Sequence, residues 1–273
     1  MKASPLKPLK RFGQNFLIDP NIRRKIMASI GTASDDEVLE IGPGYGSLTL
    51  ELVKSARRVI AVEIDRGLCA HLKSVTENIP NIRLVCADIL KFDLKRFLRQ
   101  EGAGRVRVVS NLPYYITTPV LEYLFDRIDL IEDIHITIQK EVGERMTALA
   151  GESPYGSLSC FVDYFCEARV LFGVPAGVFR PQPEVASVFM RLKPRLKRRS
   201  YWGVRSEDLL FRVIRTGFGQ RRKKLRSSLA AILKPLLAGH GEPEPLLERR
   251  PEEVSLAEYV LLSNRIFDFL KHE

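Results

Sequence analysis

The chain has 273 residues, 45% of them hydrophobic and 28% charged, which allows one good-sized core plus a smaller one and excludes a disordered chain. Lys and Arg outnumber Asp and Glu by 43 to 33, giving a net charge of +10; a polyanion is the natural partner, although a solvated basic surface would read the same. The opening MKASPLKPLKRFGQNFL has no apolar signal core and no later segment reaches the roughly 18 apolar residues of a spanning helix, so a cytoplasmic protein without a membrane partner is expected.

Glu37 to Ile41 is an apolar run ending in the glycine turn Gly42-Pro-Gly-Tyr-Gly46, and Arg58 to Val62 is a second run ending at Glu63. The order is strand, glycine turn, helix, strand. Ile82 to Val85 and Val106 to Ser110 add two strands, with helical apolar spacing in CAHLKSVTEN before the first. Three more strands are expected at Ile134 to Gln139, Tyr164 to Phe172 and Val185 to Leu192, the last two pairing as a hairpin. This is an α/β chain with a doubly wound, mostly parallel Rossmann-like sheet.

The composition changes at the basic stretch Lys193 to Arg199, which links a first domain, residues 1–193, to a small all-helical domain, residues 200–273. Helices are predicted at Ser206 to Thr216, Gln220 to Leu236 and Ser255 to Lys271, with Pro235 ending the middle one and GHGEPEP (239–245) as a loop. Cys69, Cys86, Cys160 and Cys166 form no CxxC pair and no cluster with the four histidines. Buried thiols in a reducing compartment, and no metal, are the expectation.

Three glycines in a strand-to-helix turn let a ligand approach the backbone and tolerate left-handed dihedrals. Alone the signal is generic, and Ser47 stands where a dinucleotide fingerprint wants its third small residue, so nicotinamide fits poorly. Glu63 ends the next strand, where a carboxylate can accept both hydroxyls of a ribose. Asp88 follows the third strand and can accept from an adenine amine. Each acid could equally be a solvated strand end; together, with no basic run at the turn, they suit a neutral or cationic nucleoside such as S-adenosylmethionine. Asp65 ranks behind Glu63, and Asp93 and Asp129 read as surface residues.

The fourth strand runs into Ser110-Asn-Leu-Pro-Tyr-Tyr-Ile-Thr-Thr-Pro119. The Asn111 oxygen and the Leu112 carbonyl can accept both hydrogens of an exocyclic amine, Pro113 stiffens the chain so that they converge, and Tyr114 can stack on a base. Such a grip orients an amine nitrogen toward an electrophilic methyl without a strong base. The tetrapeptide alone also fits a loop with one buried tyrosine and a capping asparagine. Phe179, in the proline-bounded VPAGVFRPQP, is the candidate second ring, with core packing as the alternative. Tyr115 is expected to pack inward, with Thr117 or Thr118 capping the next helix.

Basic patches lie at Lys7 to Arg11, Arg23 to Lys25, Lys193 to Arg199 and Arg215 to Arg226. The last, RTGFGQRRKKLR, is expected to open the longest C-terminal helix, with Arg221, Arg222, Lys223 and Lys224 on RNA phosphates. Charge does not separate RNA from DNA.

Over nearly its whole length the sequence resembles the small-subunit (16S) ribosomal RNA adenine dimethyltransferase family. The resemblance rests on FGQNFL (12–17), EIGPGYGSLT (40–49), VIAVEID (59–65), ADIL (87–90), NLPYYITTP (111–119), QKEVGERM (139–146), YGSLS (155–159), VPAGVFRPQP (174–183), FGQRRKKL (218–225) and RPEEVSLAEY (250–259). It implies a methyltransferase sheet and N6,N6-dimethylation of two adjacent adenosines near the 3′ end of small-subunit RNA during ribosome biogenesis. S-adenosyl-L-methionine would be the donor and S-adenosyl-L-homocysteine the product, with a monomer acting on an assembling ribosomal subunit. Family roles carry to Asn15 and Leu17, to Gly42 and Gly44 of the turn, to Glu63 for the ribose, to Asp88 for the cofactor adenine, and to Asn111 between cofactor and target amine. Tyr114 and Phe179 match the family's base-clamping rings. Glu184, Ala186 and Ser227 depart from its usual lysine, acidic residue and asparagine. Two rivals share the fold: a large-subunit rRNA adenine methyltransferase, and a non-catalytic ribosome assembly or mitochondrial transcription factor.

Overall fold

The structure, a computed structural model, describes residues 14–233 and 245–271. The basic patch Lys7 to Arg11, the expected helix end at Pro235 and most of the 239–245 loop lie outside the described residues. Two compact units form, one from Met1–Gly143 with Arg169–Pro194 and one from Glu144–Ala168 with Arg195–Glu273. A single cut between residues 193 and 200 is therefore corrected: residues 144–168 fold with the C-terminal unit.

In the first unit β1 (Phe16–Leu17) and α1 (Pro20–Ile30) precede β2 (Glu37–Ile41), α2 (Thr49–Ser55), β3 (Arg58–Glu63), α3 (Arg66–Val75), β4 (Ile82–Cys86), α4 (Leu94–Gln100), β5 (Val106–Asn111), α5 (Thr117–Phe125) and β6 (Ile131–Gln139). After α6 (Lys140–Thr147) and α7 (Ser157–Phe165) come β7 (Cys166–Val174), the short β8 (Phe179–Arg180) and β9 (Ser187–Pro194). The seven-stranded sheet has the order β4-β3-β2-β5-β6-β9-β7, and β1 pairs with β8 in a separate ribbon. Strands β2 to β6 pair in parallel, and β9 joins β6 antiparallel. Every residue of β2 is buried, as a parallel strand covered on both faces requires. The two final strands are neighbours in the sheet, but Tyr164 and Phe165 close α7 instead of opening β7. Their rings pack on Phe211 at 5.1 and 5.6 Å, which holds them in the helical unit.

The amino ends of the central strands carry a buried charge cluster. Asp133, 1% exposed, accepts from Arg107 at 2.8 Å and from Arg191 at 2.9 Å, with His135 Nε2 at 3.2 Å. Arg107 also reaches Asp36 at 2.9 Å and the Ile30 carbonyl at 3.0 Å, tying α1 and β2 to the sheet.

The second unit contains α7, α8 (Arg198–Trp202), α9 (Glu207–Phe218), α10 (Leu225–Ser228) and α11 (Leu256–Lys271). Ser206 caps α9 through the Leu209 N–H, and Ser255 with Glu258 forms a reciprocal cap at the start of α11. The expected helix from Gln220 is corrected: residues 219–223 form a turn, with the Lys223 N–H donating to the Gln220 carbonyl at 2.8 Å, and the helix starts at Leu225. Gly219 ends α9 and leaves Arg221 to Lys223 in that turn, with Lys224 at the cap of α10; among the described residues the longest C-terminal helix is α11.

Cys160 and Cys166 are buried free thiols as expected. Cys69 and Cys86 are not free: Cys86 ends β4 against α3, and there it is joined to Cys69 as a disulfide with Cα atoms 6.0 Å apart. No helix among the described residues is long and apolar enough to cross a membrane.

Burial raises the Asp133 carboxyl, but His135 and Arg107 outweigh it and hold the group at about 2, below its ordinary 3.8. The sign follows: its contribution to stability is intact above about pH 4 and is lost as pH falls toward 2. Asp133→Asn removes the carboxylate shared by the two guanidinium groups, of which Arg107 keeps Asp36 and Arg191 is 43% exposed, and is expected to lower unfolding free energy by about 1–3 kcal/mol. Denaturant unfolding from pH 7 to pH 2 checks both, since the variant's deficit should shrink in acid; a deficit constant with pH would contradict this role.

Candidate active site

The strand order reverses between β2 and β5, so the connections leaving their carboxyl ends run to opposite sides and open a crevice, the usual place for a ligand on such a sheet. A cavity of about 510 Å³ occupies it, within the roughly 300–1,000 Å³ of small-ligand sites. It is lined by every cofactor and base candidate named from the sequence: Asn15, Leu17, Gly42, Gly44, Glu63, Asp88, Asn111, Leu112, Pro113, Tyr114 and Phe179. Among the described residues the lining contains Glu40, Glu63 and Asp88 but no Lys, Arg or His.

The glycine turn is built by backbone dihedrals that side chains resist: φ is +69° at Gly42, +61° at Gly44 and +83° at Gly46. A Cβ on Gly42 would meet nothing within 4 Å, so that position faces open space in the cavity wall. A Cβ on Gly44 would meet the Phe16 ring at 3.0 Å.

Glu63, 4% exposed, holds the turn. One carboxylate oxygen accepts from the Gly44 N–H at 3.1 Å and the other from the Asp65 N–H at 2.9 Å. Burial raises its pKa, partly opposed by those backbone donors. Asp65 is spent locally: it caps α3 through Gly67 and Leu68 and accepts from Gln14 at 3.0 Å. Asp88 accepts from the Leu90 N–H at 3.0 Å and is half-buried in the lining.

Asn111 Nδ2 donates to the Asn15 carbonyl at 2.8 Å. That bond sets the amide's orientation and leaves its oxygen as the end available to a donor. Leu112 is buried, its N–H donating to the Thr137 carbonyl at 3.2 Å at the end of β6. The Tyr114 hydroxyl lies 2.8 Å from that of Ser187, a buried residue at the start of β9, which anchors the far end of the ring. Phe179 was expected on a stiff loop; it pairs instead with Leu17 in the β1–β8 ribbon and is 3% exposed, a wall of the cavity packed into the core.

Two local expectations are corrected. Tyr115 is 57% exposed and lines the cavity, because the short 3-10 turn over Tyr114–Ile116 sends successive side chains in different directions. Neither Thr117 nor Thr118 caps α5; the Thr117 hydroxyl donates back to the Pro113 carbonyl at 3.4 Å.

Sequence reasoning missed Glu40, Ser187 and Gln14. Glu40 lines the cavity from β2 and is 2% exposed; burial pushes its carboxyl up to about 7, with Thr49 opposing and Glu63 reinforcing. One Glu40 oxygen is buried without a hydrogen-bond partner. A glutamate inside the all-apolar run VLEIG was the available signal.

In the second unit the four proposed phosphate contacts divide. Arg221 donates to the Ser153 carbonyl at 2.6 Å and approaches Glu252 at 3.4 Å, while Lys224 pairs with Glu248 at 2.8 Å. Arg222 and Lys223 are exposed and, among the described residues, have no ion pair.

A family model described as ribosomal RNA adenine dimethylase matches residues 6–237. The chain belongs to that family. It is 43% identical over 259 residues to the ribosomal RNA small subunit methyltransferase A of Methylococcus capsulatus, covering 95% of this chain and 98% of that one. To the protein of the same name from Moorella thermoacetica it is 42% identical over 279 residues, covering 97% and 95%. Among solved structures, a dimethyladenosine transferase from Plasmodium falciparum shares the fold with a TM-score of 0.74 at 24% identity, covering 92% of this chain and 98% of that one. The 23S rRNA methyltransferase ErmE matches with a TM-score of 0.64 at 26% identity, covering 94% and 100%. The doubly wound methyltransferase sheet read from the sequence is thus the fold the family carries.

The glycine turn separates two costs of adding a Cβ. Gly42→Ala adds left-handed strain alone, about 1–2 kcal/mol, whereas Gly44→Ala adds the same strain and displaces Phe16. Denaturant unfolding should rank Gly44→Ala below Gly42→Ala in stability; equal stability would contradict the packing of Phe16 on the turn.

Proposed function

We propose that this chain transfers methyl groups from S-adenosylmethionine to the N6 atoms of two adjacent adenosines near the 3′ end of small-subunit ribosomal RNA, in the cytoplasm, on an assembling ribosomal subunit. The single observation that carries the reading is one cavity holding a buried carboxylate at a glycine turn and, at the next strand end but one, an amide whose oxygen is presented by a hydrogen bond on its nitrogen.

The lining chemistry fits the donor. An acidic cavity without a basic side chain among the described residues suits a nucleoside bearing a positive sulfonium and suits a phosphate poorly. Glu63 would accept the ribose hydroxyls, Asp88 the adenine amine, and the open backbone at Gly42, with Asn15 and Leu17, would form the rest of the cradle. When bound, S-adenosylmethionine supplies an electrophilic methyl.

The chain's own residues do the rest. Asn111 Oδ1 and the Leu112 carbonyl accept the two N–H groups of the target amine and turn its lone pair toward the donor side of the cavity. Pro113, at φ −58° and ψ 134°, keeps the two acceptors convergent. Tyr114, held by Ser187, stacks on the base, and Phe179 forms the wall against it. The amine needs no base beforehand, because its nitrogen becomes acidic as charge develops and its proton can then leave to water.

In the second unit the exposed Arg222 and Lys223 are the proposed phosphate contacts, with Arg221 and Lys224 shared between RNA and their internal partners. Relatives near 40% identity carry the small-subunit name, against 26% for the large-subunit ErmE, and this favours the small subunit as substrate.

Undermethylated small subunits given to the protein with labelled donor should yield N6,N6-dimethyladenosine on nucleoside analysis; RNA binding without methylation would support an assembly factor instead. Asn111→Ala is expected to slow transfer about 100-fold or more with RNA affinity retained. Equal loss of folding and RNA affinity would make Asn111 structural. Replacing Arg222 and Lys223 by Ala should weaken RNA binding and reduce its dependence on salt by about one to two counterions; an unchanged slope would remove this turn from the interface.

A further inference from the structure

Residues 195–205 of the second unit read RLKRRSYWGVR, five cations and no acid. They are not equivalent. Arg198 turns inward, its guanidinium 5.0 Å from the Phe165 ring and 3.4 Å from Glu207. Arg195 pairs with Asp163 at 3.0 Å and lies 5.2 Å from the Tyr201 ring centroid. Lys197 and Arg199 remain exposed, and Lys197 has no ion pair among the described residues.

Two features set this segment apart, an exposed aromatic ring and a left-handed backbone at the residue that caps α8. Tyr201 is 64% exposed although Arg195 lies against its ring, so a large aromatic surface is kept in water among cations. Lys197 has φ +59°, the one non-glycine residue among those described with a left-handed backbone. The strain is locked in by the Tyr201 N–H donating to the Lys197 carbonyl at 2.9 Å and the Val204 N–H to that of Arg199 at 3.0 Å. Strain of this kind in an exposed, non-glycine residue persists where the conformation presents something.

We propose that this segment is a second RNA contact, in which Tyr201 stacks on an unpaired base, backed by Arg195, while Lys197 and Arg199 hold the adjoining phosphates. It rests on the RNA substrate proposed above. An aromatic face buttressed by a guanidinium, in one short segment with the exposed Lys197 and with Arg199, which also donates to the Arg205 carbonyl at 3.2 Å, matches a nucleobase on a polyanion, since every base has a π face and stacking tolerates sequence. The site would therefore take single-stranded or bulged nucleotides in preference to a duplex, whose bases are already stacked.

Trp202, the only tryptophan in the chain, reports on this site directly: its ring centroid is 5.1 Å from that of Tyr201, edge to face. Titrating the full chain with an unpaired oligoadenylate should change Trp202 emission with the same midpoint as the anisotropy of the labelled RNA. Tyr201→Ala should weaken that binding about five- to a hundredfold, and Tyr201→Phe should restore it. S-adenosylmethionine affinity and thermal unfolding serve as controls for folding. The proposal is overturned if RNA binds with Trp202 emission unchanged, if Tyr201→Ala binds like the parent, if an RNA duplex competes as well as the single strand, or if vesicles of anionic lipid change the emission and oligoadenylate does not. Any of these with methyl transfer to small subunits intact removes the platform alone; absence of transfer by the parent protein removes the underlying function.

Discussion

The site depends on one hydrogen bond, from Asn111 Nδ2 to the Asn15 carbonyl. An amide has a donor end and an acceptor end of nearly the same shape, and only the acceptor end can grip an amine. Committing the nitrogen to a backbone carbonyl decides which end a ligand meets. The carbonyl is itself placed by chain geometry: Asn15 precedes β1, β1 pairs with β8, and Phe16 packs against the glycine turn. The N-terminal segment, the turn and the catalytic corner are thus one arrangement, each part limiting where the others can sit.

Around that arrangement the charge is divided by location. At the carboxyl ends of the strands the lining is acidic and apolar, with each Glu63 oxygen oriented by one backbone donor and Glu40 held up to about 7 by burial. At the amino ends Asp133 is enclosed by cations and held at about 2. A carboxyl group is made easy or hard to ionise by what surrounds it. The exposed basic residues of the helical unit form a third environment, where each cation counts only if no internal acid has claimed it; Arg222 and Lys223 differ from Arg221 and Lys224 in that respect.

Much of this was legible in the sequence, for identifiable reasons. Parallel strands buried on both faces leave continuous apolar runs, so β2, β3 and β5 could be located to within a residue, as could the half-buried edge strand β4, and their ends delivered Gly42, Glu63, Asp88 and Asn111 to one crevice. Helix signals were present but underused: Asp19, Pro20 and Gly31 bracket α1 as cap, first-turn proline and left-handed terminator. The remainder depended on contacts no local pattern encodes. Nothing in SLSCFVDYF says that Tyr164 and Phe165 will be claimed by Phe211, some 46 residues on, and so extend a helix where strand propensity is high. Nor does spacing reveal that Cys69 meets Cys86, or that Ser187 anchors Tyr114 from the start of β9. Asn15 and Leu17 were found only through resemblance; for Asn15 the reason is that a hydrogen bond accepted by a backbone carbonyl leaves no mark on side-chain identity.

The most direct test of the central claim is a crystal structure of the protein with S-adenosylhomocysteine and adenosine bound together. The account requires the ribose hydroxyls of the first on the Glu63 carboxylate and the N6 amine of the second between Asn111 Oδ1 and the Leu112 carbonyl, with Asn111 Nδ2 still on Asn15. An Asn111 amide turned to present its nitrogen to the base, or a ribose bound away from Glu63, would contradict it.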